Sequence, residues 1–185
     1  IKSVINQSVR SEIEFIVIDG GSTDKTNSIL AKYAESIDVI ISEPDRGIYD
    51  AMNKGFAASS GEFIAYLNSD DVYCHDNIIE NVLGFFSDDK VDFVFSDIEI
   101  VNDVGKVVRY WECTDACSQS VIKMQIPHPG FFVKSSCLRE LSVPFDISYQ
   151  IAADLKQQLL LIDINKKIKS VINQSVRSEI EFIVI

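Results

Sequence analysis

The feature that most constrains this chain is a rhythm. Short apolar, β-branched runs stop at acidic turns, and each is followed by apolar residues at helical spacing. Ile13 to Ile18 reads IEFIVI and ends at Asp19-Gly20-Gly21. Thr23 or Asp24 can cap the helix that follows, along which Ile29, Leu30, Tyr33 and Ala34 recur on one face, and Asp38 to Ile41 supplies a second strand. Ile48, Ala51, Met52, Gly55 and Phe56 form the next helical stripe, leading to a strand over Glu62 to Leu67 that ends in Asn68-Ser69-Asp70-Asp71. Asp76 caps a helix carrying Ile78, Ile79, Val82, Leu83 and Phe86. Asp92 to Val101 then reads as a longer strand that turns at Asp103-Val104-Gly105 into Lys106 to Trp111, an antiparallel pair. Beyond Trp111 the rhythm weakens into a polar stretch to Lys123, the turn Pro127-His128-Pro129-Gly130, a short strand from Phe131 to Lys134 and a last helix around Ile151 to Leu161. This half reads as a lid or acceptor region.

Such alternation predicts an α/β fold: an open, mixed and mostly parallel sheet flanked by helices, with right-handed crossovers. Ligands of these sheets bind beyond the carboxyl ends of the strands. Asp19 and the Asp70-Asp71 pair both stand at that end, which marks one rim as the place for chemistry.

Composition narrows the chemistry. At 185 residues, 46% apolar and 24% charged, the chain suits one folded domain. Its formal net charge of −11 argues against nucleic acid as a partner, because binding along a polyanion draws on Lys and Arg that release counterions. A phosphate group would need a metal beside it. No apolar run reaches the ~18 residues of a membrane span and no secretory signal pattern opens the chain. The expected setting is therefore cytoplasmic, with Cys74, Cys113, Cys117 and Cys137 as free thiols. Cys113 and Cys117 have the spacing of half a zinc site, but no second Cys/His pair completes it.

Ile1 to Ile18 reads IKSVINQSVRSEIEFIVI, and Ile168 to Ile185 repeats those letters without a difference. A solenoid stacks several diverged units at a fixed period, whereas one segment recurs here once, at the opposite end. The expected division is a domain over residues 1–162 and a C-terminal segment, 163–185, that contains the copy. If one copy takes the sheet position the other needs a different partner, and an unpaired EFIVI edge invites association between chains, including a domain-swapped oligomer.

Neighbouring carboxylates raise each other's pKa unless a cation sits beside them. Mg2+ or Mn2+ meets that demand, since either takes one or two protein carboxylates and fills its other positions with water and phosphate oxygens. Asp70 and Asp71 fit as holders, although a solvated turn uses the same residues. Arg46, before a helix start near Gly47-Ile48, can meet phosphate oxygens or pair with a surface acid. Asp19 can accept from a base or ribose donor, with Gly20 and Gly21 allowing close approach of the backbone.

The ordered set SVINQS, EFIVIDGGSTDKT, EPDRGIYDAMNKG, GEFIAYLNSDD, HPGFFVK and FDISYQIAAD, spread over roughly residues 1 to 162, resembles the family 2 glycosyltransferases of GT-A fold, especially bacterial enzymes of surface-polysaccharide synthesis. The resemblance implies transfer of a sugar from a nucleoside diphosphate-sugar, most commonly a UDP-sugar, to a saccharide or lipid-linked acceptor hydroxyl, with inversion. It assigns Asp19 to the nucleotide base, Arg46 to the nucleotide-sugar loop, Asp71 to the metal, Asp70 to ribose or metal-bound water, Asp154 to the general base and His128 to the acceptor pocket. Two departures stand out. Ala153 precedes Asp154 where the family often has Glu, and the family's opening apolar strand with its Asn-containing turn is not in these residues, as though the first strand were missing. A non-catalytic sugar-nucleotide-binding fragment is the main alternative. A nucleotidyltransferase wants a Gly-rich basic loop near its start, and a phosphoreceiver domain wants a Lys after a late strand, which Lys134 matches poorly.

Overall fold

The computed structural model describes residues 1–113, 126–163, 168–170 and 176–179, with side chains described as far as residue 162. Cys117 and most of the polar stretch to Lys123 lie outside them.

The chain opens with a single helical turn, α1 (Lys2–Ile5), and a 3-10 turn at Arg10–Glu12 that delivers it to β1 (Ile16–Asp19). β1 is the apolar run expected from the sequence, and it pairs in parallel with β2 (Val39–Ser42), in register Ile16 to Val39 through Asp19 to Ser42. Between them α2 (Thr26–Tyr33) makes the crossover. The Asp24 carboxylate accepts from the Thr26 N–H at its start, and Leu30 packs with Val17 and Ile37 beneath it. Of the expected stripe Ile29 is 49% exposed, so this helix is seated on a narrower face than its spacing suggested.

α3 (Ile48–Ala58) buries Ala51 and Met52 and lays Gly55 against Ile18 of β1. It leads to β3 (Phe63–Ala65), the acidic loop and the two-residue β4 (Val72–Tyr73). α4 (Ile78–Phe86) seats Ile78, Val82 and Phe86 in a core shared with Val91, Val94 and Phe132. The long strand expected over Asp92 to Val101 is two strands, β5 (Phe93–Phe95) and β6 (Ile98–Val101), which join different sheets. The break at Ser96-Asp97 has a physical cause. The Ser96 N–H donates to the Gly130 carbonyl, while the buried Asp97 carboxylate accepts from the Tyr110 hydroxyl at 2.6 Å and the Cys113 N–H at 2.7 Å. β7 (Val107–Trp111) returns antiparallel to β6, as expected.

β8 (Phe131–Lys134) runs between β3 and β5, antiparallel to both. α5 (Ser135–Arg139) and α6 (Ala153–Asp163) follow, and the C-terminal copy adds β9 (Ile168–Ser170) beside β5 and β10 (Val176–Glu179) between β4 and β6. The architecture is thus a set of mixed sheets flanked by helices. A cavity of about 810 Å³ separates the edge of β1 opposite β2 from the edge of β3 opposite β8, walled by apolar residues of α3 and α4. It takes in Tyr66 and Asn68 but none of the six residues expected to carry chemistry.

Candidate active site

Asp19 ends β1 and is 1% exposed. Burial alone would raise its pKa, but hydrogen bonds from Ser22 and from the Ser42 hydroxyl outweigh that and bring it below the ordinary aspartate value. The carboxylate is therefore a fixed anion that organises the turn after β1. Asp45 packs over Gly20 and accepts from the Gly47 N–H at 2.8 Å, so the first turn and the Pro44–Gly47 loop form one unit. Gly47 has φ of 105°, a left-handed conformation that favours glycine, and it launches α3. Arg46 projects from this loop with its side chain 73% exposed, tied to Asp50 at 3.1 Å. The Arg46 hydrogen bonds hold the Asp50 carboxyl below its ordinary pKa.

Past β3, Tyr66 turns inward and the chain enters the acidic loop. The Asp71 N–H donates to the Asn68 carbonyl at 3.0 Å, closing a turn that buries Asp71 to 3% exposure and leaves Asp70 half-buried. The Tyr73 hydroxyl is pushed above the usual tyrosine range by its own burial and then by the charge of Asp71. Among the described residues no cluster of three or more His, Cys, Asp or Glu forms a protein cage for a metal. Two adjacent carboxylates on a rim loop instead suit a hard divalent cation that takes its remaining oxygens from a bound phosphate.

His128 and Asp154 come together at the far wall. His128 sits in a 3-10 turn, His128–Gly130, kept close to β5 because a Cβ on Gly130 would fall 2.7 Å from the Ser96 carbonyl oxygen. Its ring stacks on Tyr66 at 5.5 Å and meets Phe145 edge-on at 5.5 Å. Burial lowers the His128 pKa, opposed by the charge of Asp154 and by the Gln157 side chain, so the ring is neutral at neutral pH. Its Nε2 and the Tyr66 hydroxyl, itself pushed above the tyrosine range by burial, have no hydrogen-bond partner among the described residues. Such orphaned buried polar atoms call for a partner that the described residues do not supply.

Asp154 lies in the first turn of α6, where the helix N-terminus favours a carboxylate. The preceding Ala152 has φ of 69°, a strained left-handed backbone for a residue other than glycine. That kink buries the methyl of Ala153 beside Met52 and Phe145 and turns Asp154 toward α3, where the Tyr49 hydroxyl donates to its Oδ1 at 3.1 Å. The family-like Glu is thus replaced by a residue that fills a core position. Of the expected residues, the structure brings Asp154 near His128, sets Asp19 on the turn leading into α2 and Arg46 on the turn leading into α3, and carries Asp70 and Asp71 on the loop leaving Tyr66. Tyr49, Tyr66 and Phe145 had no role in the sequence reading. Each stands inside a string that was singled out, which was the one signal available for them.

Residues 1–138 match the model of the family described as "Glycosyl transferase family 2". A glycosyltransferase of Mycobacterium tuberculosis strain H37Rv, described as uncharacterized, is 42% identical over 170 residues, covering 83% of this chain and 59% of the relative. A "PGL/p-HBAD biosynthesis glycosyltransferase" of Mycobacterium bovis strain BCG is 25% identical over 147 residues, covering 77% of this chain and 56% of the relative. The chain therefore spans a little over half the length of these relatives. Among solved structures, Staphylococcus aureus TarS 1–349 in complex with UDP superimposes with a TM-score of 0.81 at 17% identity, over 97% of this chain and 55% of that one. The mannosyltransferase PcManGT of Pyrobaculum calidifontis with GDP-Man and Mn2+ gives 0.72 at 16% identity, over 96% and 51%. At these identities the likeness concerns the fold.

Proposed function

Because the chain belongs to glycosyl transferase family 2, we propose that its rim binds a nucleoside diphosphate-sugar and that Asp154 deprotonates the acceptor hydroxyl that attacks the sugar. The observation that carries this reading is the Asp154 carboxylate itself: set at a helix N-terminus by a strained turn, hydrogen-bonded through Oδ1 alone among the described residues, and facing a neutral buried His128. As the acceptor oxygen bonds to the anomeric carbon, its proton passes to Asp154 Oδ2 and the bond from that carbon to the diphosphate breaks, a single displacement that inverts the centre. His128 and Tyr66 orient the acceptor through their open polar atoms and their ring faces. On the donor side Asp19 accepts from the base or ribose, and the exposed Arg46 guanidinium reaches phosphate oxygens. Asp71, with Asp70, would hold Mn2+ or Mg2+, which when bound neutralises charge on the departing diphosphate. UDP, UDP-GlcNAc and GDP-Man in the solved relatives favour a nucleotide-sugar donor. A saccharide or a lipid-linked acceptor supplies the attacking hydroxyl, the latter reached from the inner membrane face. No described helix is long and apolar enough to cross a membrane.

The test is a screen of UDP- and GDP-sugars for release of the diphosphate with and without Mn2+. Asp154→Asn is expected to lower turnover by about 10²-fold or more while retaining UDP binding, and Asp71→Ala to remove the metal dependence of that binding. Turnover undiminished in Asp154→Asn defeats the assignment of the base.

A further inference from the structure

We propose that Tyr49 is a positioning residue that fixes the rotamer of Asp154, so that the helix launched from the donor loop also aims the base. The inference rests on the reading of Asp154 above. Tyr49 lies in the first turn of α3, three residues after Arg46, and its hydroxyl reaches a carboxylate 105 residues later in the chain. Its ring stacks on Phe145 at 5.7 Å with an interplanar angle of 20°. Phe145 is wholly buried, and one turn further along α3 the Asn53 side chain grips its backbone in both directions. Asn53 Nδ2 donates to the Phe145 carbonyl at 2.8 Å, and the Phe145 N–H donates to Asn53 Oδ1 at 3.0 Å. The phenol therefore cannot swing without moving a segment that is itself clamped. The backbone of Asp154 is set by the Ala152 turn and the buried Ala153, and Tyr49 settles the remaining freedom, the side-chain torsions. With Oδ1 taken by the hydroxyl, Oδ2 is the oxygen presented to the acceptor. Burial and then the charge of Asp154 hold the Tyr49 pKa above its ordinary value, so the group remains a donor across the neutral range.

The arrangement has an alternative meaning, a purely structural brace between α3 and α6, and the experiment separates the two. Tyr49→Phe keeps the ring on Phe145 and removes only the hydroxyl. With the donor turned over fastest in the screen, kcat is expected to fall about tenfold, with KM for the donor within about twofold and the thermal midpoint unchanged. In an Asp154→Asn background the same substitution should cost nothing further, since the group it aims is gone. A readout independent of turnover is the titration of Tyr49, followed by ultraviolet difference absorbance against Tyr49→Phe, which should move down toward the ordinary tyrosine value in Asp154→Asn. A wild-type kcat in Tyr49→Phe, losses that multiply in the double variant, or a phenol titration indifferent to Asp154→Asn each overturn the inference. If instead Asp154→Asn turns over normally, it is the base assignment that falls.

Discussion

The same eighteen letters occur twice in this chain, and where both copies are described they fold differently. In the first copy Lys2–Ile5 is a helical turn, Arg10–Glu12 a 3-10 turn and Ile16–Asp19 a strand beside β2. In the second, the counterpart of Ile1–Ser3 is β9 and the counterpart of Val9–Glu12 is β10, both extended and laid into sheets. Identical sequence excludes any difference in intrinsic propensity, so the surroundings decide. A four-residue turn is too short to hold itself in water. The first copy is held by distant partners: Gln7 Nε2 donates to the Ser3 and His75 carbonyls at 3.0 and 2.8 Å, its Oε1 accepts from the Ile79 N–H at 3.0 Å, and the Ser8 N–H donates to the Asp76 carbonyl at 2.6 Å. In the second copy the described strands pair their backbones in ladders with β4, β5 and β6. Side-chain anchoring and strand pairing are two answers to one requirement, that buried backbone groups find partners.

The comparison breaks most readily at Val17. This residue is 3% exposed and packs with Leu30 and Ile37, and Val17→Asp would bury a carboxylate there at a cost of several kcal/mol, a large share of a domain's whole stability. Loss of the folded far-ultraviolet circular dichroism at 25 °C is expected. Normal stability would mean that the identical letters of Ile180–Ile185 can replace β1, and the two copies would then be interchangeable after all. A smaller effect is expected at Gln7, which is 4% exposed. Gln7→Ala strips partners from two carbonyls and one N–H, and urea unfolding should show a loss of about 2–3 kcal/mol. A change below about 0.5 kcal/mol would remove side-chain anchoring as the reason for the first copy's shape.

The strand and helix grammar was legible where it is local. β1, α3, α4 and β8 lie within a few residues of where periodicity put them, because each buries a face whose spacing is written in the chain. The division between β5 and β6 was not legible. It is made by Gly130, Tyr110 and Cys113 closing on Ser96 and Asp97, and the Cys113 thiol there is pushed up to about 12 by burial and by the charge of Asp97. Nor could the two fates of the repeat be read, since nothing in eighteen letters distinguishes them. At the site, the rim at Asp19 and at Asp70-Asp71 followed from strand ends, while Asp154 and His128 were picked out by the resemblance to a family. Tyr49, Tyr66 and Phe145 join them through contacts that span most of the chain, and local spacing carries no trace of such contacts.

The finest test of the two copies is Arg10 against Arg177, the same letter in different settings. Arg10 donates to the Ile13 and Ser36 carbonyls and pairs with Asp38 at 3.0 Å, while Arg177 takes its place in a strand ladder, opposite Glu99 on one side and Val72 on the other. Arg10→Ala is expected to destabilise by about 1–2 kcal/mol. The pair with Asp38 adds a pH signature. The Phe15 N–H, and after it Arg10, hold the Asp38 pKa below its ordinary value against the opposing effect of burial. A carboxyl depressed in the folded state contributes stability that is present above its unfolded pKa, near ~4, and is lost as the pH falls through the lower folded value. Its side chain is 47% exposed, so solvent and salt screen the contribution and the effect is small. In Arg10→Ala the acid-induced loss below pH ~4 should therefore be shallower than in the parent, as read from urea midpoints across the acid range. An acid slope equal to the parent's would show that Arg10 does not hold the Asp38 carboxyl, and the contrast between the copies would reduce to backbone geometry alone.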